Sequence, residues 1–202
     1  SPLVNENIIS FLQNRATVGN YSILRIDTVG PTIGKELKEK SKLLVFWSLL
    51  AILVYSWFRF KLRFGVGALA ALLHDAIISI GFMSIFGVEI NIPAIAALLT
   101  LLGYSINDTI VLFDRVREHM KSQRIDENKG LFDKSINEIF SRTIITSALT
   151  FVVVFAMLIY GGEAIHSFAF VMTWGIVVGT YSSVFIAAPV VLWWNKLGIE
   201  KL

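Results

Sequence analysis

The residues of this chain that could carry chemistry gather in one stretch, Gly103-Tyr104-Ser105-Ile106-Asn107-Asp108-Thr109-Ile110-Val111-Leu112-Phe113-Asp114-Arg115-Val116-Arg117-Glu118. It starts inside an apolar run that begins near Pro93 and ends in a dense charge cluster. Asp108 stands at its centre, between Asn107 and Thr109. A carboxylate midway along a membrane-spanning helix costs about 2.5–3.5 kcal/mol on insertion scales. It therefore needs a partner, a water-filled cavity or a proton. Burial favours the neutral form of a carboxyl group and a nearby guanidinium favours the ionised form. The chemistry on offer is reversible proton binding, the usual role of such acids in pumps and transporters.

The other polar groups follow from helical spacing. Ser105 (i−3) and Tyr104 (i−4) share a face with Asp108. Asn107 and Asp114, seven apart, form a second stripe with Thr100. A span polar along one side must face protein or water rather than lipid. Arg142 opens a later span at the same membrane edge, and Asp108 lies about 8 Å inside that edge at 1.5 Å per residue. A long arginine can approach that depth if the two helices pack together, or it can snorkel to the interface. Thr143, Thr146 and Thr150 continue a polar flank above it. His74-Asp75 sits in the middle of another span. Adjacent residues point about 100° apart, so these two do not easily share one partner. They read either as structural hydrogen-bonding groups or as members of a proton path. The sequence has no metal-ligand cluster, nucleotide loop or nucleophilic triad, and no cofactor other than the proton is expected.

The elements that position these groups are membrane spans. Of 202 residues, 55% are hydrophobic and only 16% charged, with a mean hydropathy of +0.68. A soluble domain would carry about a quarter charged residues. A formal charge of +3 gives no reason to expect nucleic acid. Five spans near the required ~20 residues are expected, at about 43–58, 64–86, 92–113, 143–160 and 167–194. Very short connections at Gly87–Asn91 and Gly161–His166 make their flanking spans antiparallel neighbours. Arg59, Lys61 and Arg63 follow the first span; Arg115, Arg117, Lys121, Arg124, Lys129, Lys134 and Arg142 fill the 114–142 loop. The opposite loops hold Glu89 and Glu163 but no basic residue. The positive-inside rule puts the 114–142 loop and the C-terminus in the cytoplasm and residues 1–42 outside.

Residues 1–42 are too few to bury a core of their own. A short helix at 7–14, an alternating strand at 21–27 and a helix at 32–42 suggest the end of a larger extramembrane α+β domain. With no initiator Met or signal layout, the chain is expected to be a fragment or a processed product. In the cytoplasmic loop, Leu131, Phe132, Ile136, Ile139 and Phe140 share one face, as in an amphipathic helix lying along the interface. Gly175-Ile176-Val177-Val178-Gly179 is a GxxxG, expected to pack helices within this chain.

The Gly103–Glu118 stretch resembles the signature of the SecF family, the smaller membrane subunits of the SecD–SecF protein-export complex. Val29–Gly34, His74-Asp75, Ser141-Arg142-Thr143 and Gly161-Gly162 agree with it, and the likeness runs from about Val29 to Trp194. It implies an all-α membrane bundle of RND type, here with spans two to six of a six-span subunit. The first span and most of the periplasmic domain are missing. It further implies a bacterial inner-membrane location, SecD and the SecYEG channel as partners, exported unfolded polypeptides as cargo, and proton-motive force as the driving energy. The family's proton-path residues align with Asp108 and Arg142. Asn107, Thr109 and Ser105, with Asp114, Asp75 and His74 more distantly, are expected as polar support. No covalent catalysis is implied. A non-transporting scaffold subunit and a subunit of a small-molecule RND exporter are the alternatives.

Overall fold

The computed structural model describes residues 31–59, 62–122 and 128–196. All secondary structure among them is helical: α1 (Pro31–Arg59), α2 (Leu62–Ile85), α3 (Ile92–Ser122), α4 (Asn128–Tyr160), α5 (Glu163–Ser182), a π-helical turn (Ser183–Ala187) and α6 (Ala188–Lys196). The chain divides into two compact units, Ser1–Glu39 and Lys40–Leu202. In the first, residues 31–39 are helical, while the expected helix at 7–14 and strand at 21–27 lie outside the described residues. Four stretches are long and apolar enough to cross a membrane: Leu62–Ile85, Ile92–Lys121, Gly130–Tyr160 and Glu163–Trp194. They carry the second to fifth expected spans. The expected first span, 43–58, is helical throughout as part of α1 and is not among those four.

The tight connections are built by the residues their geometry demands. α2 ends on Gly87 at φ 68°, the left-handed conformation that glycine adopts without a Cβ penalty. The Val88 amide closes back on the Met83 carbonyl at 2.8 Å, which satisfies an end carbonyl of the helix. Asn91 then starts α3: its Oδ1 accepts the Ala94 amide at 3.0 Å, an N-cap bond. Its Nδ2 donates to Ser167 Oγ on α5 at 3.0 Å, so one side chain caps a helix and fastens two spans. α5 begins at Glu163, four residues before the expected start of that span, leaving Gly161 and Gly162 as the link.

Packing divides into two apolar clusters with a polar layer between. One joins Phe64, Ala68 and Leu72 of α2 to Leu102, Phe113 and Val116 of α3, with Phe132 and Val191. The other joins Met83 of α2 to Leu98 and Leu101 of α3, Val154 of α4, and Phe170 and Ile176 of α5. Between them along the helices lie the buried Asp75, Ser79, Ser105, Asp108, Thr109, Ser147, Ser182 and Ser183. The GxxxG packs within the chain. A Cβ on Gly175 would come within 2.4 Å of Leu101 Cδ2, and one on Gly179 within 3.2 Å of the Ser105 Cβ. Residues four apart on α5 thus meet residues four apart on α3, a close approach of the kind small residues permit.

Three expectations are corrected. The 114–142 segment is mostly helix: α3 runs on to Ser122 and α4 starts at Asn128. The amphipathic stretch 131–140 is the beginning of α4, not a separate interfacial helix. The reason is cross-pairing: Arg115 of α3 binds Glu138 of α4, His119 Nε2 lies 3.3 Å from the same carboxylate, and Phe132 is buried in the first cluster. Arg63, placed in a loop by the sequence, is a fully buried residue of α2, its guanidinium 5.0 Å from the Phe64 ring centroid. The last span, expected as one helix, is interrupted by the π-helical turn. Pro189 explains it, since a proline ring clashes with the carbonyl four residues back, here that of Phe185. A wider turn at Ser183–Ala187 relieves the clash.

Candidate functional site: two buried carboxylates on a shared pair of helices

Asp108 is 6% exposed, on the side of α3 that meets α4. The Ser147 hydroxyl and the Arg142 guanidinium, both of α4, stand near enough to act on its carboxylate. Among the described residues no direct ion pair joins Arg142 to Asp108. Arg142 remains exposed, and its field acts on the carboxylate from α4 beside it. Ser147 Oγ in turn accepts from Thr180 Oγ1 of α5 at 2.8 Å. Thr180 of α5 thus holds the α4 serine that stands beside Asp108 on α3, while its hydroxyl also meets the Ile176 carbonyl of its own helix at 2.7 Å. Tyr104 and Thr150 add a weaker α3–α4 contact at 3.4 Å.

Asp75 is fully buried. Its Oδ2 accepts from Ser105 Oγ of α3 at 2.5 Å and from Ser182 Oγ of α5 at 2.8 Å. His74 Nδ1 lies 3.1 Å from Oδ1, so an ionised Asp75 places the imidazole proton on Nδ1. Three donors converge on one carboxylate, as a buried anion requires.

The groupings made from spacing change accordingly. Ser105, assigned to Asp108, turns its hydroxyl to Asp75. Thr109 is buried and donates to its own helix at the Ser105 carbonyl, 3.4 Å. Asn107 faces outward, exposed. Asp114 is partly exposed within α3, more than two turns before its end at Ser122. His74 and Asp75, which spacing gave no easy common partner, contact each other directly. Ser147, Thr180 and Ser182 were not singled out. Ser147 was legible as the position one turn beyond Thr143, which is also buried. Nothing in the spacing of α5 pairs Ser182 with a residue 107 positions earlier.

A buried carboxyl group with a hydroxyl donor and a cation's field can bind and release a proton as the two helices shift. Small displacements of α3 against α4 change the balance of desolvation and attraction. The site has no nucleophile–base pair.

The chain matches the family model "Protein export membrane protein SecD/SecF, C-terminal" over residues 10–197. It is 46% identical over 181 residues to a protein translocase subunit SecF of Desulfurispirillum indicum, covering 88% of this chain and 58% of that protein. It is 42% identical over 196 residues to the SecF of Rickettsia bellii, covering 97% and 64%. Among solved structures it resembles SecDF, a translocon-associated membrane protein from Thermus thermophilus, with a TM-score of 0.79 at 44% identity, covering 84% of this chain and 24% of that one. SecDF in its super-membrane-facing form gives 0.78 at 42% identity, covering 94% and 26%. The chain therefore spans less than two thirds of the length of these relatives. With four apolar spans and this match over most of its residues, it is a multi-pass membrane protein that belongs to the SecD/SecF C-terminal family of protein export membrane proteins.

Proposed function

We propose that the chain is the membrane portion of a SecF-type translocase subunit that works with SecD to couple proton movement to a late step of polypeptide export. The observation that carries this reading is Asp108, a carboxylate buried among spans, with Ser147 and Arg142 of α4 near it. In this reading Asp108 is the titrating group, Arg142 its electrostatic partner, and the proton the only coupling ion. The subunit performs no covalent chemistry. SecYEG and unfolded exported chains are the partner and cargo. The protein sits in the bacterial inner membrane, residues before α1 outside and the C-terminus in the cytoplasm.

A second subunit beside α3 and α4 is favoured by their exposed faces. Thr100, Gly103 and Asn107 of α3 and Arg142 and Thr146 of α4 are exposed on spans, where polar groups against lipid are costly. The apolar window of α4 is only 17% buried, against 56% for α3. A protein partner with polar groups of its own suits that face, and SecD is the partner proposed.

The test uses the assembled SecD–SecF complex in proteoliposomes. Asp108→Asn should abolish proton flux, and Arg142→Lys should reduce it at least tenfold, both leaving the complex intact. Unchanged flux and unchanged export in both variants would leave the scaffold reading in its place.

A further inference from the structure

We infer that Asp75 is a positioning residue for Asp108: its carboxylate fastens α3, at Ser105, to the end of α5, at Ser182, and so fixes where Asp108 stands. The two carboxylates do not touch. They are linked through α3, which carries Asp108 and the Ser105 bonded to Asp75, and through α5, whose Ser182 is bonded to Asp75 and whose Thr180 is bonded to Ser147.

On α3 the contacts are Ser105, bonded to Asp75, and Asp108 itself, less than one turn further on. On α5 they are Thr180, bonded to the Ser147 that stands near Asp108, and Ser182, which donates to Asp75. Thr180 and Ser182 are two residues apart and immediately precede the π-helical turn. Gly179 lets this part of α5 come close: an added Cβ would stand 3.3 Å from Ser105 Oγ and 3.5 Å from Asp75 Oδ2. Asp75 therefore sits where α2, α3 and α5 are pinned together, and the Thr180–Ser147 bond that holds α4 starts on the same turn of α5. A shift of Ser105 or Ser182 moves α3 against α5, and with it the spacing of Asp108 from Ser147.

What Asp75 must supply is an acceptor for two serine hydroxyls. An asparagine provides one through its side-chain oxygen, with its amide turned to His74, whose ring nitrogen then accepts. A leucine provides none and leaves buried hydroxyls unsatisfied. This separates positioning from proton carriage by Asp75 itself, which an asparagine would abolish.

The inference rests on the proposed role of Asp108 for its effect on proton uptake, but its geometric part is independent of that role. The chain contains no cysteine, so D108C and S147C, with a cysteine-free SecD, give a single defined cross-link between α3 and α4. In the full complex, D75L and S105A should each slow disulfide formation between these positions at least fivefold, and D75N should retain most of the rate. In the native-Asp108 background the same variants should lower proton uptake in the same order. Cross-linking rates unchanged in D75L and S105A would overturn the inference. So would D75N losing uptake as fully as D75L with cross-linking intact, since that marks Asp75 as a proton carrier. Should D75L fail to assemble, the S105A/S182A double variant decides on the same scale. Slowed cross-linking together with normal uptake in D108N would uphold the positioning role while removing the proposed function of Asp108.

Discussion

Asn91 shows how one side chain can serve two elements. Its carbonyl oxygen caps α3 at Ala94 and its amide reaches Ser167 on α5. Asn91→Ala should lower stability by about 1–2 kcal/mol from the lost cap alone, read as a shift in the thermal unfolding midpoint of the purified complex. Asn91→Ser keeps a capping oxygen but cannot span to Ser167, and should fall between. Glu138 offers the contrast. It binds Arg115 and faces His119, but the group is open to solvent, where screening leaves an ion pair little net effect. Glu138→Gln should leave the thermal unfolding midpoint nearly unchanged, and the small difference should shrink further in high salt. Asp108 was legible from the sequence because an acid in an apolar run is conspicuous wherever it occurs. Asp75 was visible as a polar residue but its partners were not. Helical spacing reports neighbours on one helix, whereas Ser105 and Ser182 come from two others.

At the scale of elements, the spans were legible by length and hydropathy, and their ends by Gly87, Asn91 and Gly162. Two features were hidden by the same treatment. A hydropathy window ends a helix where charges begin, so it missed that Arg115 and His119 of α3 extend both helices by pairing across with Glu138 of α4. It also passed over Pro189, which sits in an apolar run yet cannot continue a regular helix. Pro189→Ala should let Ser183–Ala187 return to α-helical bonding, with slower amide exchange at those residues as the measure. The α3–α5 contact gives a sharper test. Gly175→Val places a Cβ against the fully buried Leu101 and should destabilise by about 1–3 kcal/mol through overpacking. Gly81→Ala is its control: an added Cβ there meets nothing within 4 Å, and stability should hold or rise slightly.

For the molecule as a whole, α4 is the least covered of the four apolar spans among the described residues. The spans bury Asp108 but leave Asn107, Arg142 and Thr146 exposed beside it, and the chain covers only part of its relatives' length. Replacing Asn107 and Thr146 together by Leu should weaken recovery of SecD with this subunit several-fold in a pull-down from detergent. The Gly81→Ala control should leave that recovery unchanged. A polar stripe on a span was readable in the sequence as a surface that must not face lipid. Which protein covers it was not, because that depends on another chain's residues.

The most direct test of the central claim is proton flux through proteoliposomes holding the complete SecD–SecF complex under an imposed pH gradient. With wild-type protein as reference, Asp108→Asn should abolish the flux and Arg142→Lys should cut it at least tenfold, while both complexes assemble in normal yield. Flux at the wild-type rate in Asp108→Asn would contradict the account.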